Sequence, residues 1–280
     1  MIQLIKRTKL LLPVLGAAIL ALAMSASVAQ GQATPKTGYT QFKGCPSLTE
    51  NEKSVVCVRN IITGGHFQMG SKDVPIEKNI TLVGGVDEAL QNFVYNSAGG
   101  LSPTPQKVPG GVVGLTGLDF LLDLFSVTAL NLYATTELAG TPDVNIFEEP
   151  IELPIKAHLT NPLGLLGKNC YVGTNSKPIS LNLITTTTEP PPPNEPISGK
   201  GGVFKFDEET LISYFEDGTF VDNSFAAPGA TGCVLDLGLF PVNIDGLVNT
   251  VSGLPSPAGT NEAVQDFDAE IVDSETAYAP

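Results

Sequence analysis

Apolar and polar positions alternate in short runs along most of this chain. The clearest run covers residues 151–159, where Ile151, Leu153, Ile155, Ala157 and Leu159 take one side and Glu152, Pro154, Lys156 and His158 the other. Successive side chains point to opposite faces of a strand, so this is the pattern of a half-buried strand. Pro154 cannot donate to a ladder and argues for a place near a sheet edge. Ile179, Leu181, Leu183 and Thr185 repeat the alternation, and 55–62, 66–70, 79–83, 203–206, 211–215 and 263–272 read as further strands, with Gly64-Gly65 and Gly84-Gly85 as breaks.

Other stretches depart from that rule. Residues 114–139 are strongly apolar; within them Leu118, Leu121, Leu122 and Phe125 have helical spacing, whereas Leu130, Leu132, Ala134, Thr136 and Leu138 alternate. A short helix followed by a strand is expected. Residues 244–251 suit one or two helical turns before Gly253 and Pro255, and 94–111, with three prolines, reads as loop. The run Thr185 to Pro196 contains four consecutive prolines. Such a run enforces polyproline geometry and predicts a stiff, exposed connection: a rigid loop, or a glycosylated or partner-binding stalk.

The 29 glycines and 22 prolines punctuate short segments rich in Val, Ile, Leu, Thr and Phe, which describes many strands and turns and few helices. The fold class is therefore all-β, a sandwich of antiparallel sheets with one or two short helices. An echo, G-[ST]-x-x-x-P-I-x-x-N, begins at Gly70 and again at Gly173. Each copy suggests a strand, a tight turn opened by glycine and a returning strand begun by Pro-Ile, and raises the prospect of two related lobes. The expected organisation is a signal peptide at 1–29, a polar entry tail at 30–44, a first β lobe at 45–145 and a second at 146–280, separate or continuous.

Export is the firmest functional expectation. Lys6, Arg7 and Lys9 precede an apolar stretch at 10–24, and Ser27-Val28-Ala29 supplies small residues for cleavage after Ala29. The apolar stretch is short for a membrane span, no cysteine follows it to take a lipid, and no transmembrane anchor is expected in the mature protein. Cleavage removes three cations and no acid, moving the formal charge from −14 to −17. Charge of that sign repels phosphate backbones, which excludes nucleic acid as a partner.

Compartment also governs the cysteines. An even number in an exported chain reads as two disulfides among Cys45, Cys57, Cys170 and Cys233, with three connectivities possible. Cys45–Cys57, closing a short loop, and Cys170–Cys233, joining segments distant in sequence, are favoured; a zinc site would want C-x-x-C spacing, which is missing. No cofactor is expected.

Catalytic signatures are absent from the sequence: there is no G-x-S-x-G, H-E-x-x-H or P-loop pattern, and the two histidines, His66 and His158, lie far apart. A noncatalytic extracellular or cell-envelope role follows, with a cell-wall component or an apolar small molecule as candidate partner. Leu118, Leu121, Leu122 and Phe125 are the candidate lining of an apolar pocket, as they would be of a helix packed on the β core. Asp207, Glu208, Glu209, Glu216, Asp217 and Asp222 supply carboxylates for a hydrolase, the second alternative. Asp266, Asp268 and Glu270, alternating along a strand, would face one way and form a weak calcium candidate or a wet face.

Residues 161–173, 190–199 and 221–233 resemble a group of exported actinobacterial proteins of unassigned function. The resemblance covers most of the mature chain. It implies bacterial secretion and the Cys170–Cys233 pairing, and it carries over no functional residue.

Overall fold

The strands predicted by alternation pair into two main antiparallel sheets in the computed structural model, which describes residues 33–87, 92–116, 128–144, 149–235 and 240–278. In chain order they are β1 (Val56–Met69), β2 (Lys72–Pro75), β3 (Ile80–Val86), β4 (Phe93–Val94), β5 (Gly100–Leu101), β6 (Pro105–Val108), β7 (Leu132–Leu138), β8 (Ile151–Thr160), β9 (Tyr171–Val172), β10 (Ile179–Leu183), β11 (Val203–Asp207), β12 (Ile212–Asp222), β13 (Ala230–Thr231), β14 (Val234–Leu235), β15 (Val242–Asn243) and β16 (Glu262–Asp273). Three short α-helices accompany them among the described residues, α1 (Gly111–Thr116), α2 (Asp245–Ser252) and α3 (Ser274–Ala277), with a single 3-10 turn at Thr40–Phe42. The first sheet runs β11-β12-β16-β1-β3-β4, with β2 also on β1 and β5 also on β3; the second runs β13-β9-β8-β7-β6, with β10 also on β8. Chain from before residue 145 and after it shares the first sheet, since β16 lies between β1 and β12.

The core lies between the sheets. Leu153, Ile155, Ala157 and Leu159 of β8, with Ile179, Leu181 and Leu183 of β10, pack in one cluster with Ile62, Phe67, Ile80, Phe220 and Phe267 of the first sheet. Each of the Leu, Ile and Phe side chains among them contributes about 1.5–3 kcal/mol when fully buried. The alternation in residues 151–159 is thus the alternation of core and surface.

Several local expectations change. Gly64-Gly65 does not end a strand; β1 continues through both, with a register shift between Ile62 and Gly64 opposite β16. Gly65 has φ of +96°, and a Cβ there would lie 2.0 Å from the Val264 carbonyl oxygen, so glycine permits the bulge and the close approach. β3 likewise continues through Gly84 and Gly85, where a Cβ would meet the Phe93 ring and the Ser54 hydroxyl. β8 is not near an edge, because β7 lies on one side and β9 and β10 on the other. Pro154 is tolerated because its backbone faces the end of β7: its carbonyl accepts from Ala139 just beyond that strand, where Gly140 packs against the proline ring. Within the presumed loop at 94–111, β6 starts at Pro105 and buries Gln106 and Val108.

The proline segment is a rigid loop and not a stalk. Asn194 donates from its side chain to the carbonyls of Asn223 and Asn261, and Thr188 is tied to Ile197 through the backbone. The two copies of the echo differ. After Gly70 the chain makes a true hairpin, in which Pro75 ends β2; after Gly173 it makes a loop and resumes as β10 along the same edge of β8 that β9 occupies.

Both disulfides are present, as Cys45–Cys57 and Cys170–Cys233. The second staples the β9–β13 pair. The first sits on the outer side of the first sheet in a small cluster with Phe42, Ile212, Val272, Ala277 and Tyr278. Here the segment foreseen as a polar entry tail delivers Phe42, fully buried, and the backbone of Lys36 bonds to Ala277. The Tyr278 hydroxyl donates to the Phe42 carbonyl at 3.1 Å and also to that of Cys45; burial, with Glu50 nearby, pushes the phenol up to about 12. No helix among the described residues is long and apolar enough to cross a membrane.

Candidate functional site

A small apolar cavity of about 60 Å³ lies between the sheets, lined by Leu82, Leu153, Phe220 and Ala269 among others, with Asn60 and Gln265 as its polar members. Gln265 is 1% exposed, and neither its Oε1 nor the Oδ1 of Asn60 has a hydrogen-bond partner among the described residues. Such unsatisfied acceptors cost about 1–3 kcal/mol each when buried.

Strand register joins this cavity to the surface. Asn60 stands opposite Leu82 on one side and Ala269 on the other; Ala269 stands opposite Phe215, and Phe215 opposite Phe204. Residues directly opposite share a sheet face with Cβ atoms about 5 Å apart, so these five form one row from the core to the outermost strand. The Phe204 and Phe215 rings are 5.4 Å apart. Phe206 is on the same face as Phe204, and the two are 50% and 59% exposed respectively. The inner face of the first sheet thus stays apolar beyond the part that the core covers.

Among the residues singled out from sequence, Leu118, Leu121, Leu122 and Phe125 lie outside the described residues. Asp266, Asp268 and Glu270 lie together on β16, but each is engaged separately. Asp266 accepts from the Thr219 hydroxyl at 2.9 Å, Asp268 from the Asp217 N–H at 3.0 Å, and Glu270 pairs with Arg59 at 2.8 Å. No group of three or more His, Cys, Asp or Glu side chains placed to hold a metal occurs among the described residues.

The histidines occupy separate sites. His66 contacts Glu262 at 3.1 Å. His158 stacks on Tyr171, with Nδ1 3.4 Å from Glu137 and Nε2 facing the Lys168 carbonyl at 3.1 Å. With a carbonyl on Nε2, where a serine triad would place the nucleophile, His158 is not arranged as a general base.

The acid-rich region is also dispersed. Asp207 accepts from the N–H groups of Glu209 and Thr210, which hold its carboxyl below the usual range, and Glu216 pairs with Lys205. Asp222 reaches an open polar cleft shared with Glu149, Glu152 and Glu189. Burial raises the Asp222 pKa, although the N–H groups of Asn182 and Ser224 bond to its oxygens. Partial burial acts to raise Glu149 as well, but bonds from Thr185 and Thr186 outweigh it and leave that carboxyl lowered. Opposed shifts in two carboxyls are a feature of acid–base pairs. Here both groups spend their oxygens tying loops to strands, and Asp222 is only 2% exposed.

Sequence reasoning missed the row and its two amides. One local signal existed for Gln265: it is a polar residue at an inward position of a strand whose neighbours on that face are Ala263, Phe267 and Ala269. Nothing local marked Phe204 as exposed. No protein-family model matches this chain, and neither the curated proteins nor the solved structures contain a significant match to it.

Proposed function

We propose that this chain is a noncatalytic protein of the cell exterior or envelope whose work is to hold an apolar, lipid-like molecule. The observation that carries the reading is the row Asn60, Ala269, Phe215 and Phe204, which leads from an internal apolar cavity to exposed aromatic rings on one sheet face. A cavity of about 60 Å³ is less than half of the roughly 150 Å³ that accommodates a benzene ring, so it receives the end of a chain while the remainder lies along Phe215 and Phe204. Two disulfides support an oxidising destination, and the amino-terminal charge and apolar pattern support export. A carboxylate-dependent hydrolase has less behind it, since Asp222 and Glu149 are committed to backbone and threonine partners.

Native mass spectrometry of the secreted protein, before and after extraction with organic solvent, tests the reading. The expected result is a mass excess that extraction removes and that Ala269→Leu, which fills the cavity, diminishes. An unchanged apo mass in both samples, with no uptake of added fatty alcohol, would leave only the structural envelope role.

A further inference from the structure

The first sheet ends differently on its two sides, and the open end carries a consequence for assembly. At one end β4 is two residues long and its Phe93 is 3% exposed. At the other, β11 pairs, among the described residues, with β12 alone, and the chain already follows β12 from Lys200, whose backbone bridges to Thr219. An outermost strand presents a row of N–H and C=O groups that a further strand can pair with, and proteins blunt such edges with proline, bulges or free charge. β11 has no proline, its single cation Lys205 is engaged by Glu216, and Val203, Phe204 and Phe206 are 50–59% exposed.

We propose that two copies of this chain associate by antiparallel pairing of their β11 strands about a two-fold axis at Lys205, making one continuous sheet. The charge pattern selects a second copy and this direction. Lys200 precedes β11, while Asp207, Glu208 and Glu209 close and follow it. About that axis Val203 of each copy lies opposite Asp207 of the other, so Lys200, just before β11, lies toward the other copy's acidic turn, and the match occurs twice, as an isologous interface requires. A parallel arrangement would set the acidic turns against each other. The same register places Phe204 of each copy opposite Phe206 of the other, giving two aromatic cross-strand pairs on the face that already bears Phe215. Lys205 meets its own counterpart, and each is neutralised within its own chain by Glu216. The mature charge of −17 opposes association at long range, and salt screens it over about 8 Å at physiological ionic strength, so pairing strengthens from low salt to that level.

Sedimentation equilibrium on the full secreted protein measures this directly. The expected result is a monomer–dimer equilibrium whose dissociation constant rises about tenfold or more in Phe204→Glu/Phe206→Glu, from the two lost aromatic pairs and the added acids. Lys205→Cys should form a disulfide-linked dimer in mild oxidant, because only a two-fold axis at that position brings the two new thiols together, while Leu211→Cys should not. A monomer at every concentration and salt level overturns the proposal. So does a dimer whose constant is unaltered in the double variant and that Lys205→Cys fails to cross-link, which would place the interface elsewhere.

Discussion

Two hydrophobic clusters on opposite faces of the first sheet, the inter-sheet core and the cluster around Cys45–Cys57, are built on different principles. The inter-sheet core gathers alternate residues from β8, β10, β1 and β3, and although the Cys170–Cys233 disulfide lies within it, its size lets apolar burial supply most of its stability. The outer cluster has few buried members and depends on ties: Cys45–Cys57, the Lys36 to Ala277 backbone bond, and the two carbonyls that share the Tyr278 hydroxyl. A small apolar cluster needs staples for the same reason that a small domain does, since the surface it buries scarcely offsets the entropy of ordering its segments. The outer cluster is where the two described ends of the chain meet.

Three perturbations break or sharpen that contrast. The largest effect is expected in the inter-sheet core: Leu181→Ala, at a fully buried position, should lower unfolding stability by about 3–4 kcal/mol through lost burial and the cavity left behind, measured by urea denaturation. Next, Cys45→Ala/Cys57→Ala opens a link across a sequence separation of 12, and should cost about 3 kcal/mol. Hydrogen exchange should then rise first at residues 36–45 and 274–278. If exchange rose evenly throughout, the outer cluster would not be the separately stapled unit described above.

The smallest effect at neutral pH belongs to Tyr278→Phe, at about 1–2 kcal/mol for one buried hydroxyl and its hydrogen bonds. Its pH dependence distinguishes it. The folded phenol titrates near 12 against an ordinary value of 10, so its contribution is complete below pH 10 and falls as pH rises toward 12, by about 2–3 kcal/mol in all. Denaturation curves from pH 9 to 12 should show that loss in the natural protein and a flatter profile in Tyr278→Phe. Equal slopes in both would mean that another group governs alkaline unfolding.

Much of the fold was legible from local pattern. Residues 151–159 and 179–183 announced strands because burial on one face imposes a period of two, and Gly253 marked the end of α2 by adopting φ of +66°. The disulfide partners were also foreseen. Glycine misled where its use was close packing: Gly84 and Gly85 resembled a break, yet they let the Phe93 ring and Ser54 approach β3. Pro154 misled because its tolerance depends on where β7 stops, a fact stored in residues 138–140 and not beside the proline.

Less of the candidate site was legible. The apolar run containing Leu118 drew attention, whereas the row to the surface is assembled from five strands between residues 60 and 269. Each of those residues looks ordinary in its own segment. By itself, the sequence determined that the chain forms antiparallel strands, joins its cysteines and carries an export pattern, because those properties depend on neighbours in the chain or on compartment. Only tertiary structure decided that β8 is interior, that Gln265 faces an apolar cavity and that Phe204 remains uncovered. Those outcomes depend on which distant strands pair and where one sheet ends over the other, and alternation along a single strand specifies neither.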